Sequence, residues 1–169
     1  MAFNINCSFN YATHLPCLIK AFSKTTGAIL EIGMGVFSTP YLHYACTLAE
    51  RKLVSYENYA NWMQFFIDYG YENEYHEIKL VEKYSDAQIE KPWDVVLIDQ
   101  SPNSSRNEEI KRLANLAQYI VIHDSNGKHE KDYHYSEIYP LFKYRSVWDK
   151  DKRHATVLSN FNDLEDFWK

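Results

Sequence analysis

From residue 28 onward, apolar runs of strand length alternate with stretches of helical periodicity, and this alternation restricts the architecture more than any other property of the chain. The runs fall at 28–32, 52–56, 77–81, 93–98, 119–122, 144–148 and 155–158, which predicts seven strands. Helical spacing covers 38–50, 59–69, 108–117 and 133–141, with a shorter helix at 86–90. Repeated strand and helix units of this kind build one α/β, doubly wound, mostly parallel sheet with helices on both faces. Only a charged turn around Asp149-Lys150-Asp151 separates the last two runs, so they form a hairpin and the final strand is antiparallel. Residues 13–24 also read as helical, with Pro16 in the first turn, so 1–27 is an N-terminal helical segment of a single domain, 1–169.

A chain of 169 residues buries enough surface for one real core. Acidic residues outnumber basic ones by 23 to 18, and the basic residues gather only at Lys143, Arg145, Lys150, Lys152 and Arg153, in the hairpin region. That pattern speaks against a duplex-binding surface, so nucleic acid is not the expected partner. Cys7, Cys17 and Cys46 show no paired spacing that would suggest a disulfide framework or a zinc knuckle. The N-terminus lacks a secretory pattern and no apolar run reaches membrane-spanning length, so a cytoplasmic protein without a membrane partner is expected. A homodimer is compatible with all of this.

In an open parallel sheet, ligands sit beyond the carboxyl ends of the strands. The residues at those ends are Glu31 with Gly33 and Gly35; Glu57 and Asn58; Ser85 and Asp86; Asp99 and Gln100; and His123 and Asp124. Each alone could be a cap or a turn residue, but five polar ends aligned on one sheet edge point to a site. Gly33 and Gly35, flanking Met34, let a backbone approach a ligand, and they precede the helix opening Ser38-Thr39-Pro40, where Ser38 is the expected N-cap. Glu57 ends the second strand, where a carboxylate can accept hydrogen bonds from both hydroxyls of a ribose.

Leu30-Glu31-Ile32-Gly33-Met34-Gly35, Leu53-Val54-Ser55-Tyr56-Glu57-Asn58, Trp93-Asp94-Val95-Val96-Leu97-Ile98-Asp99 and Tyr119-Ile120-Val121-Ile122-His123-Asp124 together resemble the class I, Rossmann-like methyltransferases that use S-adenosylmethionine. The resemblance spans about residues 27–160. It implies that Glu31, Gly33, Met34 and Gly35 face the methionine part of the cofactor, that Glu57 holds the ribose, and that Asn58 lies where the adenine begins. It further implies that Asp86 meets the adenine amino group and that Asp99 stands beside the reacting methyl. The family's third glycine is replaced here within Val36-Phe37-Ser38-Thr39, so Ser38 and Thr39 are candidates for the cofactor carboxylate at the helix N-terminus.

Methyl transfer from a sulfonium is an in-line displacement that needs a held nucleophile and often a base, for which Asp99, His123 and Asp124 are the candidates. Either His123 or Asp99 serves as the base, or Asp99, Asp124 and Asn126 hold a divalent cation such as magnesium, as in catechol-type enzymes. In the run His123-Asp124-Ser125-Asn126 a serine stands where that cation site expects its amide. The acceptor is expected to be a small molecule methylated at oxygen or nitrogen. His14, Arg106, His129 and His134 are the polar groups on the segments that would surround it. Two alternatives stay open: a non-catalytic module that binds S-adenosylmethionine or a protein partner, and a nicotinamide-dependent oxidoreductase.

Overall fold

The computed structural model describes residues 8–102 and 105–169; Cys7, the start of the N-terminal segment and loop positions 103–104 lie outside the described residues. Seven strands, β1 (Ile29–Ile32), β2 (Leu53–Glu57), β3 (His76–Leu80), β4 (Trp93–Ile98), β5 (Ala117–His123), β6 (Tyr144–Trp148) and β7 (Ala155–Ser159), form one sheet in the order β3-β2-β1-β4-β5-β7-β6. β1 pairs in parallel with β2 and β4, while β7 runs antiparallel to both β5 and β6. The closing hairpin therefore has the predicted direction. The order reverses beside β1, so a crevice opens between the ends of β1 and β4, the place where such sheets bind ligands.

The central strands are mostly apolar because both faces are covered. Ile29, Val95, Leu97, Tyr119 and Val121 pack under α1 (Leu15–Ser23) and α2 (Ser38–Leu48), against Leu18, Ala21, Leu42 and Cys46. Their alternates Leu30, Ile32, Val96, Ile98, Ile120 and Ile122 pack on the other side, with Ile110 and Leu113 of α4 (Arg106–Leu113). A further helix, α3 (Ala60–Asp68), carries Phe66 onto Met34 and Ile78.

Three expectations shift. The short helix expected over 86–90 does not form: a 3-10 turn at Tyr84–Asp86 gives way to extended chain, whose carbonyls are taken from the side. Arg112 donates to the carbonyls of Tyr84 and Ala87, and the Trp93 indole to that of Ile89. The helix expected over 133–141 is instead α5 (Glu130–Tyr133) followed by 3-10 turns, because His134 takes a left-handed conformation at φ 52° and Pro140 cannot donate to a continuing helix. Finally, α4 ends at Leu113 because Ala117 is drawn into β5 opposite Trp93.

Candidate active site at the carboxyl ends of the strands

A cleft of about 490 Å³ lies beyond β1, β2 and β4. Its walls come from four loops: Gly33 and Met34 after β1, Glu57 to Tyr59 after β2, Tyr84 after β3, and Asp99 with Ser101 and Pro102 after β4; Trp62 of α3 adds a fifth wall. Gly33 makes this convergence possible. It has φ 87°, and a Cβ there would come within 2.4 Å of Gln100 Cα, so the β1 and β4 loops touch backbone to backbone.

Glu57 ties the cleft together. Its carboxylate accepts from the backbone N–H groups of Met34 (3.1 Å), Asn58 (2.9 Å) and Tyr59 (2.9 Å). A carboxylate offers about four acceptor directions, so three internal bonds leave little room for both hydroxyls of a ribose. Burial pushes the Glu57 carboxyl above its ordinary value, with these donors opposing the rise. Asn58 reaches across the cleft to the Ser101 carbonyl (3.1 Å) and accepts from the Tyr84 hydroxyl (3.3 Å). The Trp62 indole donates to the Met34 carbonyl at 2.9 Å, fixing the first loop on the aromatic face of α3.

Several expected site residues stand outside the cleft. Glu31 is fully buried; Thr39 donates to both of its carboxylate oxygens at 3.0 Å and Ser55, directly across from it on β2, donates at 2.6 Å. The bond from Gly35 N–H to Thr39 Oγ1 (3.0 Å) completes that closure, so Thr39 secures the turn. Behind it, Ser55, His76 and His43 continue a buried polar chain with contacts of 2.9 and 3.1 Å. Burial pushes the Glu31 carboxyl up to about 7 and the His76 imidazole down to about 3. Ser38 is not the N-cap: it opens the helix after Phe37, and its buried hydroxyl lies against the Glu31 carboxyl. Asp86 is exposed and lines a separate hollow with Lys79 and Gln88; Tyr84, two residues earlier, takes the cleft position.

Asp99 sits at the cleft wall with its side chain 21% exposed. Arg106 Nη2 donates to Asp99 Oδ1 at 2.8 Å, and His123 Nδ1 lies 3.2 Å from both carboxylate oxygens. Burial alone would raise the Asp99 carboxyl, but His123 and Arg106 outweigh it and hold the group well below the usual carboxylate range. The Arg106 guanidinium also donates to the carbonyl of Gln100 (2.9 Å) and the Tyr135 hydroxyl (3.2 Å), and stacks over Tyr133. A buried cation so paired is costly to disrupt, since deleting one partner of such a pair typically costs about 3–5 kcal/mol. His123 Nε2 contacts Thr13 Oγ1 at 2.9 Å, so both of its ring nitrogens are engaged. His14, from the N-terminal segment, packs edge-on against His123 with ring centroids 4.8 Å apart.

The cation set of Asp99, Asp124 and Asn126 is not assembled. Arg153 donates to both oxygens of Asp124 (2.9 and 3.1 Å) and Tyr133 donates to one (2.9 Å), while the Asn126 amide donates to the Lys152 carbonyl. Asp124 is thereby a closed structural acid. Of the four polar groups expected around an acceptor, His14 and Arg106 are buried beside Asp99, whereas His129 and His134 lie near Asp132 and Glu137 and away from it. Thr13, Trp62 and Tyr84 carry no motif that marks them as site residues; Tyr84 alone has a signal, its place in the loop after β3.

No protein-family model matches the chain, and no curated protein matches it in sequence. Solved structures similar to the chain include methyltransferases. Cofactor-bound Rv0187 from MTB aligns with TM-score 0.67 at 17% identity, covering 95% of this chain and 84% of that one. Human methyltransferase-like protein 13, in complex with SAH, aligns with TM-score 0.61 at 12% identity over 95% and 85% of the two chains. A methyltransferase from Pyrococcus furiosus gives TM-score 0.60 at 12% identity over 89% and 84%. At these identities the likeness defines the fold: the chain has the class I methyltransferase fold, with the strand order and antiparallel closing strand expected of it. Among the described residues, no helix is long and apolar enough to cross a membrane.

Proposed function

We propose that this protein is an S-adenosylmethionine-dependent methyltransferase that binds its cofactor in the cleft beyond β1, β2 and β4 and methylates a small molecule at oxygen or nitrogen. The observation that carries the reading is the convergence of Gly33, Met34, Glu57 and Asp99 on one cleft in a methyltransferase fold. The cleft residues suit such a cofactor: apolar Met34, Trp62 and Tyr84 offer faces to a base, and Glu57 offers an acceptor to one ribose hydroxyl. When bound, S-adenosylmethionine supplies an electrophilic methyl on a positively charged sulfur. Asp99, kept ionised by Arg106 and His123, favours positive charge at its end of the cleft and can accept from the N–H or O–H of an acceptor. So depressed a carboxyl is a weak base, so Asp99 acts by orientation and charge. Approach to the methyl is then a matter of positioning, the larger part of such catalysis.

A second reading, a binding module of the same fold, is favoured by one observation: His123 and Asp124 are both committed to internal partners, leaving neither free as a base. Incubation with methyl-labelled S-adenosylmethionine and panels of hydroxylated and amine compounds, with nucleic acid and protein panels alongside, separates the two. The enzyme reading expects label in a small-molecule acceptor. Label only in a macromolecule would overturn the acceptor class, and no transfer despite cofactor binding would support the module.

A further inference from the structure

We propose that His14, Asp99 and His123 form a mononuclear site for a divalent transition metal of the zinc or iron(II) type, opening on the cleft. One donor atom from each of the three lies within 4.8 Å of the others. His123 Nδ1 is 3.2 Å and His14 Nδ1 4.0 Å from Asp99 Oδ2. Bonds of about 2.0–2.2 Å place donors roughly 3 to 3.5 Å apart around such an ion, so His14 has to close by on the order of 1 Å. Two imidazoles and one carboxylate with room for exogenous ligands are the donor set of mononuclear iron and zinc centres.

The independent observation is His14 itself. It is 2% exposed, and neither of its ring nitrogens has a hydrogen-bond partner among the described residues. Leaving a buried imidazole unsatisfied is unfavourable, and an ion between its Nδ1 and Asp99 removes the part of that penalty that falls on Nδ1. The surrounding contacts are those of a supported ligand set. Thr13 Oγ1 holds His123 Nε2 and so can direct the Nδ1 lone pair towards Asp99, while Arg106 takes Asp99 Oδ1 and leaves Oδ2 to the rings. A single carboxylate shared with an arginine is a poor site for magnesium, which wants several oxygen ligands. Nitrogen donors select the transition metals instead.

The test is calorimetric titration of the chelator-treated full chain with Zn²⁺, paired with the visible absorption of Co²⁺ as probe. One ion per chain is expected, with a cobalt spectrum of nitrogen and oxygen ligation. His14→Gln should weaken binding by at least a hundredfold, Thr13→Val by roughly 10- to 100-fold as a partner of a ligand, and the distant His129→Gln should leave it unchanged. His14 has no hydrogen bond to lose, so His14→Gln should fold normally, with circular dichroism as the check. Absence of a 1:1 site in the parent protein, or equal Zn²⁺ affinity in His14→Gln, overturns the proposal. The readout needs no methyl transfer, so the result stands apart from the cofactor reading.

Discussion

Gly33→Ala lowers the unfolding free energy by roughly 2–5 kcal/mol, from about 1–2 for left-handed backbone at a residue with a Cβ and a further 1–3 for overpacking. The second part comes from the distances: the new methyl carbon would sit 2.4 Å from Gln100 Cα and 2.5 Å from Gln100 N, which are backbone atoms that cannot rotate away. Gly70 provides the internal control, since it has φ 80° but nothing within 4 Å of the added carbon. Gly70→Ala should therefore cost only the conformational part, about 1–2 kcal/mol. Urea denaturation of both variants separates the two contributions. Equal losses would mean that the β1 and β4 loops do not touch as described, and the cleft they frame would need redrawing.

Glu31→Gln changes how stability depends on pH. The Glu31 carboxyl is raised by burial to about 7 in the folded protein, from an ordinary value of 4.5. Between those values the native state holds a proton that the unfolded chain has released. The contribution is thus fully present below pH 4.5 and lost as pH rises through 7, at about 1.4 kcal/mol per pH unit. A glutamine has no such proton. The stability of the parent relative to Glu31→Gln should therefore be greater at about pH 5 than at about pH 7.5 by roughly 2–3 kcal/mol, measured by urea denaturation at both values. His76, lowered by burial, has the opposite sign but is present in both proteins and cancels in the difference. A difference independent of pH would show that Glu31 is not the buried acid described.

The strand ends are legible because a buried parallel strand is mostly apolar until it nears the sheet edge, so Asp99 and His123 announce themselves as the first polar residues after apolar runs and Glu57 as the charged residue that ends β2. Glu31 breaks that logic: it lies within β1, on the face covered by α2, and only the fold shows Thr39 and Ser55 closing over it. Asp86 stands out over Tyr84 in the sequence because a carboxylate reads as a ligand and a tyrosine as packing, yet the turn Tyr84–Asp86 directs the tyrosine to the cleft. The helix expected over 133–141 fails on one left-handed residue, His134, which apolar periodicity does not register. The group around Asp99 is the least legible. Thr13, His14, Arg106 and His123 are dispersed over the sequence, and only the packing of the N-terminal segment against the ends of β4 and β5 gathers them.

The proposed function requires the cleft between Gly33, Glu57 and Asp99 to take S-adenosylmethionine. Calorimetric titration of the intact protein with S-adenosylmethionine, with NAD as the comparison, measures it directly. One molecule per chain should bind with Kd well below about 1 mM while NAD gives no heat in that range; binding of NAD alone, or of neither, would rule out an S-adenosylmethionine site in this cleft.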